Sequence, residues 1–287
     1  MDKASTLLSI LEKANTKKND VIFLPFVKCA IETAIFSQKP LILLTFTCST
    51  INPQYMYDVK NPELYVSLDP EGNNLEVDLP TLASLYKQLN LIYPTKLIIF
   101  IGNTDPFYIY TEEVQRLPGV TTKEFWKRFS KRWKLYKKNL GLYIQKAYPS
   151  LNPEIISWYE LEKEWVTFGW DFKKQFNKTL QKIDTYFPKS DFEWELTKLE
   201  NSFGKGKYFY NLKKPSQKTL QIWVKKKFAE YAVQGLWIKF IFQNAILLQN
   251  EKPSDLRSKM YQPLIKSKLN SRLPIIYPYG VDNSGYQ

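Results

Sequence analysis

Two short segments of the chain, "KPLILLTFTC" (residues 39–48) and "TKLIIFIG" (residues 95–102), are apolar at almost every position. A strand with one wet face alternates polar and apolar residues, whereas a run this continuous needs cover on both faces. Such runs belong to central strands of a parallel sheet. Between them lies "DLPTLASLYKQLNLI", a helix pattern with Asp78 placed to cap it and Pro80 in its first turn. Strand, helix, strand predicts an α/β fold, a Rossmann-like and mostly parallel sheet flanked by helices. Strands are expected near residues 41–48, 96–102 and 244–249, the last from "NAILLQ".

The remaining segments fit that frame. Residues 5–38 have helical spacing, interrupted near Pro25. Residues 121–148 form a long amphipathic helix whose apolar stripe is Phe125, Phe129, Trp133, Tyr136, Leu140, Tyr143 and Ala147. "EIISWYELE" reads as a short strand leading into a helix, and residues 165–187 and 191–203 read as helical. "SQKTLQIWVKKKFAEYAVQGLWIKFI" is a further helix with Ser216 as its cap, and "RLPIIYPYG" supplies a last strand. Residues 53–78 are turn-rich, with a hairpin expected around "LYVSL". No repeat or linker divides the chain, so residues 1–287 are expected to form one domain.

Composition matters most through what is missing. The chain has no histidine, which excludes Ser-His-Asp and Cys-His catalysis and the histidine-based zinc sites. Its two cysteines, Cys29 and Cys48, are too few for a disulfide framework or a structural zinc site. Acid–base work therefore falls to carboxylates, lysines, tyrosines or thiols. So few cysteines make a reducing cytoplasm the expected location, and no run approaches the ~18 apolar residues of a membrane span. A net charge of +13 favours an anionic partner. No glycine-rich phosphate loop is present, and neither cofactor nor metal is expected.

Three constellations carry the candidate chemistry. After the first strand come Cys48, Ser49 and Asn52, two nucleophile types and an amide, or simply a buried thiol and a polar cap. The second strand runs into "GNTDP", where Asn103 and Asp105 hold hydroxyls or an ammonium group, or make an ordinary turn before Pro106. The third ends in Asn250, Glu251 and Lys252, with Lys259 beyond. A desolvated Lys252 acts as base or carbonyl nucleophile; a charged one anchors phosphate. If the strands are neighbours, these ends converge on one crevice. Separately, Lys127, Arg128, Lys131, Lys134 and Lys138 line one helix face, suited to a polyanion or to plain solvation.

In order and spacing, roughly residues 20–265 resemble the isonitrile synthase family, of the pyoverdine/dityrosine biosynthesis type. "FTCSTIN" stands where that family has a strand ending in phenylalanine, a Lys-Ser pair and an asparagine. "DLPTLASLYKQLNLIYPTKLIIFI" is similar to its leucine-proline helix, "YP" and following strand, and "GNTDPF" to its serine-aspartate-glycine turn. "NAILLQNEKPSDLRSK" follows the outline of its late strand, turn and lysine, with Lys259 at the family lysine and Lys252 where the family has histidine. The resemblance implies chemistry on an aromatic amino acid, with ribulose 5-phosphate supplying the isonitrile carbon. The expected catalytic residues are Ser49, Asp105 and Lys252; Cys48, Asn52, Asn103, Asn250, Glu251 and Lys259 would bind substrate.

A second resemblance is to cyclodipeptide synthases. Ser49 and Asn52 have the spacing of that family's nucleophile and asparagine, and the basic helix sits where tRNA would bind. Its paired tyrosine and glutamate would fall near Tyr231 and Gly235, where the acid is missing. A third reading needs no catalysis: a basic Rossmann-like module binding nucleic acid or protein. The expected partners are thus an amino acid and a phosphorylated co-substrate, with tRNA as the alternative, and no membrane.

Overall fold

The computed structural model describes residues 2–15, 24–47, 75–101, 119–157, 160, 171–204, 215–248, 257–265 and 273–278; some side chains within these elements, Arg128 among them, lie outside the description. In chain order the elements are α1 (Lys3–Ala14), α2 (Leu24–Phe36), β1 (Leu41–Thr47), α3 (Leu75–Asn90), β2 (Thr95–Ile101), α4 (Thr122–Ala147) and β3 (Glu154–Ser157). They continue with α5 (Phe172–Gln181), the single turn α6 (Ile183–Tyr186), α7 (Lys189–Gly204), α8 (Gln217–Ile241), β4 (Ala245–Leu248), α9 (Arg257–Tyr261) and β5 (Ile275–Ile276).

The two apolar runs pair with each other, parallel and in register, from Leu41 opposite Thr95 to Thr47 opposite Ile101. The full sheet is parallel throughout, in the order β3-β2-β1-β4-β5. Strands expected near 41–48, 96–102 and 244–249 lie at 41–47, 95–101 and 245–248. The tail contributes the two-residue β5.

Alternation along each strand divides the core. Leu97, Ile99 and Ile101 of β2 and Ile246 and Leu248 of β4 face α1 to α4. Ile98, Phe100, Ala245 and Leu247 face α5 to α9. Helices from the first half of the chain thus cover one face, and those from the second half cover the other. This two-sided burial is why the strands read as unbroken apolar runs.

Local signals place the long helices. Thr121 caps α4 by accepting the Glu124 N–H, and Ser216 caps α8 by accepting the Thr219 N–H at 3.2 Å. The inward stripe of α4 is Phe125, Tyr136, Leu140 and Ile144; Ala147, expected on it, is exposed. One boundary differs from the reading of the sequence. Helix α3 begins at Leu75, so Asp78 is inside it and Pro80 is its sixth residue. Proline there has no N–H to offer the carbonyl of Glu76, so the helix runs through its proline with one bond missing. The expected hairpin around "LYVSL" and the start of the 165–187 helix lie outside the described residues.

Candidate functional site at the carboxyl edge of the sheet

Because the strands are all parallel, their carboxyl ends share one edge. Thr47 stands opposite Ile101, Ile101 opposite Ser157, and Thr45 opposite Leu248. With neighbouring strands about 4.8 Å apart, the exits of β2, β1 and β4 span roughly 10 Å. Successive strands step one way, β1 to β2 to β3, and the chain then returns to place β4 on the other side of β1. The β1/β4 boundary is therefore the topological switch point, where open α/β sheets leave a crevice beyond their carboxyl ends. The next described element after β1, α3, lies on one face of the sheet, and the next after β4, α9, lies on the other. Cys48, Ser49, Asn52, Asn103, Asp105, Asn250, Glu251 and Lys252 themselves lie outside the described residues.

Lys259 is described. It sits on α9 with its side chain exposed, so no anionic partner is needed to offset burial of its charge. Lys127, Lys131, Lys134 and Lys138 are all exposed along α4, as an amphipathic helix with a basic outer face requires. Among the described lysines of the helix, Lys137 is the one paired with Glu160 beyond the end of β3.

Lys137 belongs to a polar cluster that was not singled out in the sequence. Buried Ser157 closes β3, and both its N–H (2.9 Å) and its hydroxyl (3.0 Å) donate to Glu160 Oε2. Lys137 Nζ donates to Glu160 Oε1 at 2.5 Å. Partial burial works against the Glu160 charge, but the Lys137 ammonium and the two Ser157 donors outweigh it and hold the carboxyl below its usual range. A carboxylate with both oxygens engaged is a poor general base. It clamps α4 to the end of β3. The signal was there to be read, since "SWYE" has the S-x-x-E spacing in which an acid returns to the backbone N–H of the serine.

Helix α8 holds the second overlooked group. It enters β4 through the short turn 242–244 and so runs antiparallel to that strand. At 1.5 Å per helical residue and about 3.3 Å per strand residue, Gln234 is roughly level with Leu248, and Glu230 lies about 6 Å beyond. Both are buried, and the Gln234 amide donates to Glu230 Oε1 at 3.2 Å. An acid and an amide four residues apart in the apolar stretch "FAEYAVQGLWI" were the available cue.

The neighbouring Tyr231 packs its ring, tilted by 46°, at 5.2 Å from that of Tyr261 on α9. Gly235 presses against the same residue: a Cβ there would lie 2.1 Å from the Tyr261 carbonyl oxygen. The position where the cyclodipeptide synthase pattern asks for a glutamate therefore has no room for any side chain. Among the described residues no group of histidines, cysteines and carboxylates is arranged to hold a metal ion.

No known protein family matches the chain, and no curated protein matches it. Among solved structures, the PvcA protein from Pseudomonas aeruginosa is similar, with a TM-score of 0.51 at 13% sequence identity, over 98% of this chain and 85% of that one. At that identity the likeness is one of fold: this chain has the α/β architecture of PvcA.

Proposed function

We propose that the chain is a biosynthetic enzyme that modifies an amino acid at the carboxyl edge of its sheet, by chemistry of the isonitrile synthase type. The observation that carries this reading is the register of β2, β1 and β4. It brings the exits toward Ser49, Asp105 and Lys252 to one edge, on and beside the switch point. The fold shared with the PvcA protein supports it. In this reading Lys252 is a partly desolvated amine acting on the carbonyl of ribulose 5-phosphate, and Ser49 and Asp105 orient the amino group of an aromatic amino acid. Cys48, Asn52, Asn103, Asn250 and Glu251 complete the pocket, with Lys259 at its rim for the co-substrate phosphate. The test is incubation of the purified protein with aromatic amino acids and ribulose 5-phosphate, with products read by mass spectrometry. An isonitrile is expected, and Lys252→Met should abolish it; unaltered substrates after full turnover conditions sink the proposal.

The row of exposed lysines on α4 favours one rival, a tRNA-dependent enzyme similar to cyclodipeptide synthases. The closed space at Gly235 counts against it. Incubation with charged tRNAs separates the two, because only the rival yields a cyclic dipeptide.

A further inference from the structure

The opposite edge of the sheet has a different character. Phe36 and Leu91 are the most exposed large apolar side chains among the described residues, at 90% and 79%, and Phe240 is 42% exposed. Phe36 ends α2 just before β1, Leu91 follows α3 just before β2, and Phe240 lies in the last turn of α8 just before β4. These three strands are neighbours in the order β2-β1-β4. A helix that leads into a parallel strand ends at the amino edge, so all three lie toward that edge, Phe36 and Leu91 on one face of the sheet and Phe240 on the other. Two bonds tie the first pair of connections together: the Tyr93 hydroxyl donates to the Ala34 carbonyl at 3.0 Å, and the Leu41 N–H to the Pro94 carbonyl at 2.9 Å. Scattered single apolar residues need no explanation, but a cluster on one edge does.

The connections that carry these side chains are basic, while the acids described nearby, Glu32 one turn before Phe36 and Glu154 on β3, are paired with Lys28 and Lys96. Residues 36–40, 87–94 and 239–244 include Lys39, Lys87 and Lys239 and not one acid. A second copy meeting this face through a twofold axis would set lysine against lysine, which disfavours self-association. A nucleic acid would engage the lysines but leave the aliphatic Leu91 without a base to stack on. A bilayer with anionic headgroups satisfies both features, since lysines meet phosphates while apolar side chains enter the acyl boundary.

We propose that the amino edge of the sheet, through Phe36, Leu91, Phe240, Lys39 and Lys87, docks on anionic phospholipid surfaces. The hydropathy of the chain gave no expectation of a membrane partner, because it reports spans. No helix among the described residues is long and apolar enough to cross a bilayer, and a peripheral contact needs none. Docked this way, the carboxyl edge faces away from the lipid.

The test is co-sedimentation of the full chain with vesicles of phosphatidylcholine alone and of phosphatidylcholine with phosphatidylglycerol. Binding is expected to the anionic vesicles only and to weaken as salt rises. Lys39→Gln with Lys87→Gln should reduce it about twenty-five-fold, at roughly fivefold per surface lysine. Phe36→Ser with Leu91→Ser should weaken it comparably, with thermal melting unchanged because both side chains are already in water. Lys127→Gln with Lys131→Gln, on the basic face of α4, should leave vesicle binding within about twofold of the parent, those lysines lying away from the amino edge. No binding to anionic vesicles overturns the proposal. So does binding that the α4 changes remove while the Phe36 and Leu91 changes leave it intact, which is adsorption by net charge. Preference for single-stranded RNA over vesicles overturns it as well.

Discussion

The two faces of the sheet bury similar strand residues yet are covered in different ways. Beneath α1 to α4 the buried cluster is leucine, isoleucine, valine and alanine around Tyr136, with Tyr86, Tyr93, Tyr143 and Tyr148 partly buried against it and Phe125 buried at the start of α4. Beneath α5 to α9 it is built on rings: Phe100, Phe172, Phe176, Phe187, Phe228 and Trp237, with Trp237 4.5 Å from Phe172 and Phe228 4.8 Å from Phe187. The cause is connectivity. On the first face each crossover joins adjacent strands, so a single layer of helices suffices. On the second, the chain must travel from β3 at one edge back past β1 to β4. The helices of that excursion, α5, α6 and α7, together with α9, contact α8. Helix α8 is therefore an inner element, buried without a break from Ala232 to Ile238, and it carries no polar face there. Large rings fill the thicker layer. Inside it, the buried Glu195, Glu230 and Gln234 each require a particular partner, so this half tolerates fewer arrangements.

Two helical glycines make the comparison measurable. At Gly235 on the aromatic side, a methyl group would collide with the Tyr261 backbone, which cannot swing aside. Gly235→Ala should cost on the order of 3 kcal/mol and detach α9 from α8. At Gly141 in α4 a methyl group would meet only the Ile155 side chain, at an ordinary 3.7 Å. Gly141→Ala should instead stabilise by about 0.5–1 kcal/mol, because alanine is the better helix former. Urea denaturation of the two variants reads both signs, and equal effects would erase the distinction between the faces.

Ion pairs sharpen the same contrast at smaller amplitude. Lys227 pairs with Glu195, whose side chain is 6% exposed, within the α7–α8 contact. Lys227→Met leaves that carboxylate buried without its ammonium and should cost about 2–3 kcal/mol, at the low end for a buried pair because Lys227 itself is partly exposed. Adding Glu195→Leu should recover most of the loss. The Lys96–Glu154 pair joins β2 to β3 at 2.6 Å with both side chains half exposed. Lys96→Met there should change stability by less than about 1 kcal/mol.

Much of this architecture was legible, for physical reasons that also explain what was not. The strands could be read because two-sided burial writes an unbroken apolar run, and Ser216 because capping is a local bond. The start of α3 was misplaced because Asp78 and Pro80 together make a strong local start signal, while the helix begins one turn earlier at Leu75. The meaning of Gly235 could not be read at all, because the crowding comes from Tyr261, far along the chain. For the candidate site, the sequence supplied polar residues at strand ends, and only the sheet order identified which two of those ends flank the switch point. Glu230 escaped notice because one acid in a helix implies a wet face unless the whole helix is known to be an inner one.

The smallest expected effect lies on the aliphatic side, at the clamp between α4 and β3. Glu160 is held below its usual pKa in the fold, its partial burial being outweighed by Lys137 and the Ser157 donors. A carboxyl depressed in the folded state binds its proton more weakly there than in the unfolded chain. Its contribution is therefore fully present above the ordinary glutamate pKa and fades as pH falls through the lower, folded value. Glu160→Gln keeps the shape of the side chain but cannot carry the charge. The stability gap between the parent and this variant should be constant near neutral pH and shrink on acidification below about pH 4.5. It should be modest throughout, since the carboxylate is partly exposed and added salt screens it. Denaturant melts of both proteins across the acid range measure the gap directly. A gap that widens toward low pH would mean that Glu160 is stabilised in its protonated form, which would make it a candidate acid at the sheet edge instead of a clamp.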